Sequence, residues 1–194
     1  GLMQVIFREW ESVVSLVVRD FYHRYTVDEH TLVCLERLAE LRSTTDPVAA
    51  RFAGLLSEID NPAVMVFSLL YHDVGKGAFT GKHSKVGFDW ARAAMARMQA
   101  PEDEQDAVGF LILHHLALSE IMTGRDLSDP ATARALADRV GTIERLKMLA
   151  VLTFADISGV NPGAMTPWRA EQLWRVYRIA QQELMRELET DRIQ

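Results

Sequence analysis

Apolar residues recur at helical spacing along almost the whole chain, as in Val5, Ile6, Trp10, Val13, Val14 and Val17 and again in Leu32, Leu35 and Leu38. No segment shows the period-two alternation of a strand. Four places set a capping residue directly before a proline: Asp46-Pro47, Asn61-Pro62, Asp129-Pro130 and Thr166-Pro167. In each the side-chain oxygen can accept from an open amide, and proline at the first helical position gives up no useful donor. A fifth start is Thr26-Val27-Asp28-Glu29, a capping box that puts His30 in a first turn. The pattern predicts helices near 4–22, 27–42, 47–59, 62–73, 84–99, 102–117, 130–139, 143–158 and 167–190, hence an all-α bundle. Gly75 to Gly81, with three glycines, and Ser119 to Asp129 read as loops.

Composition narrows the picture. A chain of 194 residues, 48% of them hydrophobic, is expected to make one domain spanning 1–194. The formal net charge is −6, with acids clustered at Glu102, Asp103, Glu104 and Asp106. That balance lacks the basic stripe that neutralises nucleic-acid phosphates, so DNA and RNA are not expected partners. Cys34 is the only cysteine and cannot form an intramolecular disulfide, which points to the cytoplasm. The longest apolar stretch, Ala63 to Tyr71, is well short of the ~20 residues that span a bilayer, so no membrane partner is expected. Gly1 and Leu2 precede the first methionine, so the chain reads as cut from something longer or as carrying a short foreign leader.

The chemistry concentrates in histidines and two aspartates. His72-Asp73 ends an apolar helix and runs straight into Val74-Gly75-Lys76-Gly77. A neutral imidazole and a carboxylate side by side at a helix end can reach one cation, and the carboxylate can bridge to a second. The dipeptide alone fits a helix C-terminus with one satisfied histidine equally well. His30 lies one helix earlier, His83 opens the helix after the glycine loop, and His114-His115 ends another apolar run. Asp156 follows an apolar run from Met148 to Ala155, where an unpaired carboxylate would cost several kcal/mol, so it needs a cation or a hydrogen-bonded neighbour. His23 is left without a role, and Trp10, Trp90, Trp168 and Trp174 read as core.

The order His30, His72-Asp73, Asp156 resembles the H…HD…D signature of the HD superfamily of metal-dependent phosphohydrolases. His83-Ser84-Lys85-Val86-Gly87 resembles the HxxxG element, and His114-His115 the paired histidines, with which some members hold a second metal. By that resemblance the core spans about 26–160, with a C-terminal helix at about 167–190. It implies a first ion on His30, His72, Asp73 and Asp156 and a second on His83, His114 and His115, with Asp73 between them. A closer resemblance covers roughly residues 21 to 185. The strings Tyr25-Thr26-Val27-Asp28-Glu29-His30-Thr31, His72-Asp73-Val74-Gly75-Lys76-Gly77, Arg125-Asp126-Leu127-Ser128-Asp129-Pro130 and Ala155-Asp156-Ile157 are similar to the HD domain of bacterial PII uridylyltransferase/uridylyl-removing enzymes. In that family the domain hydrolyses UMP from a tyrosine of the PII nitrogen-signalling protein. No Gly-Ser-x-Asp-x-Asp-like motif and no ligand-sensing ACT region lie within the sequence, so a fragment or a free-standing relative is expected.

The resemblance implies a catalytic role for Asp73 and Lys76: two cations sharing Asp73 would lower the pKa of a bridging water toward neutrality. Lys76, three residues on, can hold a phosphate oxygen, and Arg125 can do so in bidentate fashion or pair with a nearby acid instead. A tyrosyl leaving group, with a pKa of about 10, needs no strong general acid. Mixed imidazole and carboxylate ligation favours two divalent ions among Mn, Fe, Co, Ni or Zn. Two other functions remain open from the residues: a small-molecule nucleotide phosphohydrolase, and a non-catalytic regulatory or docking domain that keeps metal for stability.

Overall fold

The structure, a computed structural model, describes residues 2–18 and 24–191. Among these residues ten α-helices follow in order: α1 Leu2–Ile6, α2 Val27–Leu41, α3 Ala49–Ser57, α4 Pro62–Tyr71, α5 His83–Arg97, α6 Glu102–His114, α7 Ala117–Gly124, α8 Pro130–Val140, α9 Ile143–Val160 and α10 Pro167–Asp191. Short 3-10 helices at Arg8–Val13 and Val74–Ala78 complete the set, and no strand occurs among the described residues. The expected all-α bundle is what forms.

Helix α9 lies at its centre. Leu146 and every residue from Met148 to Ala155 are buried, as befits a helix apolar on all sides. Helices α2, α3, α4, α6, α7, α8 and α10 all pack on it. The buried hydroxyl of Thr153 donates back to the Leu149 carbonyl at 2.8 Å, so no polar group is stranded there.

Most starts are where the capping residues put them. Asn61 accepts from the Ala63 amide at 3.1 Å, Asp129 from Ala131 at 2.9 Å and Thr166 from Arg169 at 3.2 Å. The Thr26–Glu29 capping box is present. Asp46 differs: its carboxylate accepts from both Val48 and Ala49, closing a turn, so α3 begins two residues after Pro47.

Three expectations fail. The helix expected at 4–22 is instead α1, a 3-10 helix and extended chain, with residues 19–22 and His23 outside the described residues. Val13, Val14, Val17 and Val18 are β-branched and resist the helix, and the i,i+3 pair Trp10 and Val13 buries well in a 3-10 turn. The loop expected at Ser119 to Asp129 is helical as far as Gly124, because Leu118 and Met122, one turn apart, both bury. Trp168 is not core: it stands 65% exposed in the first turn of α10.

The stretch Glu102–Gly124 is apolar enough for a membrane span by length and composition, but half of its apolar 18-residue window is buried inside the protein. It comprises α6 and α7, core helices of the bundle.

Two contacts fix the segment after α4. A Cβ on Gly75 would collide with the His83 carbonyl oxygen and come within 2.6 Å of the Gly87 amide nitrogen, so only glycine lets the Val74–Ala78 turn lie against α5. Across the N-terminus, Glu9 accepts from Arg97 at 2.9 and 3.0 Å, and the Tyr71 hydroxyl donates to it at 3.0 Å. Burial raises the pKa of Glu9, but Arg97 and Tyr71 outweigh it and hold the carboxyl below its usual range.

Candidate metal centre

Helix ends converge on one buried point. His30 comes from the first turn of α2, His72 and His115 from the positions that close α4 and α6, His83 from the first residue of α5 and Asp156 from the C-terminal part of α9. Asp73 stands between α4 and the 3-10 turn that follows.

The side chains form two groups around Asp73. One Asp156 oxygen lies 3.0 Å from His30 Nε2 and 3.5 Å from His72 Nε2. Asp73 Oδ2 faces the same group, 3.8 Å from His30 Nε2 and 3.5 Å from His72 Nε2. Its other oxygen, Oδ1, faces His83 Nε2 at 3.8 Å and His115 Nε2 at 3.9 Å. Those two nitrogens are 3.3 Å apart. The four imidazoles run edge to face in the order His30, His72, His115, His83, with centroids 5.3 to 5.4 Å apart.

Two of the rings have their tautomer set by the backbone. His72 Nδ1–H donates to the Leu69 carbonyl at 2.7 Å, and His115 Nδ1–H donates to the Ile112 carbonyl at 2.8 Å. A carbonyl can only accept, so each Nδ1 carries a proton and Nε2 is the nitrogen turned into the centre. His72 Nε2 is buried with no hydrogen-bond partner. An orphaned imidazole nitrogen facing two carboxylates is the surrounding that a cation completes, so the donor set fits divalent metal.

The electrostatics agree. Burial opposes a charge on His72, yet Asp73 and Asp156 outweigh it and raise its pKa to about 9. Burial also opposes ionisation of Asp73 and Asp156, and the surrounding imidazoles, with Lys76 for Asp73, hold both carboxyls well below the ordinary range. His115 falls to about 4 through burial and the nearness of His72, and burial lowers His83 as well. The carboxylates and the neutral rings of His83 and His115 already have the forms that ligate metal, whereas His72 would give up its Nε2 proton to the ion that replaces it.

Of the seven expected ligands, six meet here and His114 does not. Successive residues on a helix point about 100° apart, so His115 facing inward turns its neighbour away. His114 is half-buried beside the Phe110 ring at 4.8 Å, its pKa lowered by burial and by Arg139 and Arg145. Lys76 Nζ donates to Asp73 Oδ2 at 2.6 Å, beside the centre. Arg125 is exposed at the end of α7 and does not line the cavity that adjoins Lys76 and His83.

Cys34 also reaches the first group, one turn after His30 on α2. Its sulfur lies 3.5 and 3.7 Å from the two nitrogens of His30, so it rests against the ring rather than at one lone pair. The i,i+4 spacing from His30 was the available signal.

A family model of the HD domain matches residues 27–143, more than half of the chain. The chain belongs to the HD domain family. This HD domain is a metal-dependent phosphohydrolase, and Asp156, beyond the matched segment, is brought to the centre by α9. Curated relatives similar to it are each called a bifunctional uridylyltransferase/uridylyl-removing enzyme. That of Cereibacter sphaeroides is 37% identical over 92% of this chain and 19% of its own. For Pseudomonas entomophila the figures are 36%, 97% and 21%, and for Gluconobacter oxydans 34%, 93% and 19%. The chain spans about a fifth of the length of these relatives.

Proposed function

We propose that this HD domain holds two divalent ions and hydrolyses a nucleotidyl phosphodiester, removing UMP from a tyrosine of a PII-type signalling protein. The observation that carries the reading is Asp73, whose two oxygens face two separate groups, His30, His72 and Asp156 on one side and His83 and His115 on the other. His30, His72, Asp156 and Asp73 would hold the first ion, and Asp73, His83 and His115 the second. Bound there, divalent metal supplies an activated water and positive charge for the phosphoryl oxygens.

The protein's own groups do the rest. Leu69 and Ile112 hold a proton on the outer nitrogen of two imidazoles, so it is the inner nitrogens that face the ions. Lys76 Nζ, partly exposed beside Asp73, is within reach of a phosphate oxygen. The adjoining cavity of about 360 Å³ has exposed residues on its rim, Phe79, Thr80 and Gly81, which suits an ester carried on a protein loop. The uridylyl-removing relatives support this choice of ester. The role is one in nitrogen regulation, in the cytoplasm, where the buried thiol of Cys34 needs no oxidising conditions.

The test compares wild type with Asp73→Ala in the purified, manganese-loaded chain, measuring metal content and turnover of bis-p-nitrophenyl phosphate, of a uridylylated PII protein and of free nucleotides. Asp73→Ala should keep its helical signal, lose its metal and lose turnover by about 1,000-fold or more. Unchanged turnover sinks the metal-centre assignment. Equal rates on uridylylated PII and on free nucleotides favour a small-molecule substrate instead.

A further inference from the structure

Three non-glycine residues among those described have a positive φ, and one of them is Phe79. It closes the Val74–Ala78 turn at φ 55 and ψ 26, a left-handed conformation that a side chain disfavours and glycine adopts freely. Glycine stands at positions 75, 77 and 81 of the same loop but not at this one. The ring gains no compensating burial, because Phe79 is 79% exposed. A strained, exposed aromatic residue beside a reaction centre calls for a functional reason rather than a packing one.

Its position supplies that reason. The cavity of about 360 Å³ is lined both by Lys76 and His83, polar groups beside Asp73, and by the apolar Val17, Val18 and Phe79. Val17 is 69% exposed, so this apolar surface too is open to a ligand. A molecule with its phosphate at Lys76 and His83 would set whatever the phosphate carries against these residues.

We propose that Phe79, in a cavity that Val17 and Val18 also line, is a stacking platform for a planar aromatic group attached to the scissile phosphate, and so determines specificity. The inference rests on the phosphohydrolase reading of the centre and adds the class of group recognised. In a nucleotidyl-tyrosine ester that group is either the nucleobase or the tyrosyl ring, and both stack through a π-face. Stacking of a base on an aromatic side chain corresponds to about tenfold or more in affinity.

The test is calorimetric binding of UMP, phenyl phosphate and ribose 5-phosphate to the manganese-loaded full chain, as wild type, Phe79→Ala, Phe79→Trp and Phe79→Gly. Wild type should bind UMP or phenyl phosphate about tenfold more tightly than ribose 5-phosphate. Phe79→Ala should erase that preference and leave ribose 5-phosphate unchanged, while Phe79→Trp keeps it. Whichever aromatic ligand loses affinity identifies the source, base or tyrosyl ring. Phe79→Gly should lose the preference too and yet melt at a higher temperature, since glycine relieves the left-handed strain. The platform is overturned if Phe79→Ala changes nothing, weakens all three ligands equally, or if Phe79→Gly melts lower. Failure of wild type to bind any of the three would overturn the phosphohydrolase reading and the platform with it. Binding of all three without aromatic preference removes the platform alone.

Discussion

The two sides of Asp73 use the same imidazole chemistry in different surroundings. On one side His30 and His72 are 1% and 0% exposed and share two carboxylates, Asp73 and Asp156. On the other, His83 and His115 share only Asp73, and the His83 side chain is 25% exposed at the cavity. The contrast shows in the pKa values: against the effect of burial, two carboxylates at 3.5 Å raise His72 to about 9, whereas burial and the neighbouring His72 bring His115 down to about 4. On the function proposed above, the buried side would retain a cation and the rim side would admit substrate.

The strongest break in this comparison is made at the ligands. His72→Ala should leave a chain that retains almost no metal after gel filtration, because the tight position loses a donor and Asp73 its buried partner. His83→Ala should keep about one ion per chain and lose the other. Elemental analysis reads both; a His83→Ala protein without metal, or a His72→Ala protein still carrying two ions, would contradict the ranking.

Next comes the contact that holds the rim in place. Gly75→Ala forces a methyl group into the His83 carbonyl and should cost about 3 kcal/mol in a urea titration, along with the weaker ion. Retained stability would mean that the turn and α5 can separate without penalty.

The smallest effect is expected at the N-terminal brace. Glu9→Gln keeps an acceptor for Tyr71 but gives up the charge that pairs with Arg97, for about 1 kcal/mol near neutral pH. Because Glu9 is held below its ordinary value of 4.5, its contribution is fully present above that pH and is lost as the pH falls through the lowered value. The stability gap between wild type and variant should therefore close in acid; a gap independent of pH would remove the ion pair as its cause.

Much of the frame was legible because capping is local. Asn61, Asp129 and Thr166 each satisfy an amide two or three residues away, a distance that sequence alone controls. The N-terminal segment misled because Trp10 and Val13 fit a helix of either pitch, and only packing against the core selects one. Ser119 to Gly124 misled for the opposite reason: its polar residues suggest a loop, and burial of Leu118 and Met122 overrides them.

The same division runs through the candidate centre. The sequence by itself determined which groups were available, placing His72-Asp73 and His114-His115 at the ends of apolar helices where polar side chains need a partner. It also set the tautomers of His72 and His115, since each ring bonds a carbonyl three residues back. Only the tertiary structure decided that His115 faces Asp73 while His114 turns to Phe110, and that His30 and Asp156, 126 residues apart, come within 3.0 Å. The physical reason is that helix period fixes the angle between neighbouring side chains, whereas the choice of inward face comes from packing the whole bundle around α9.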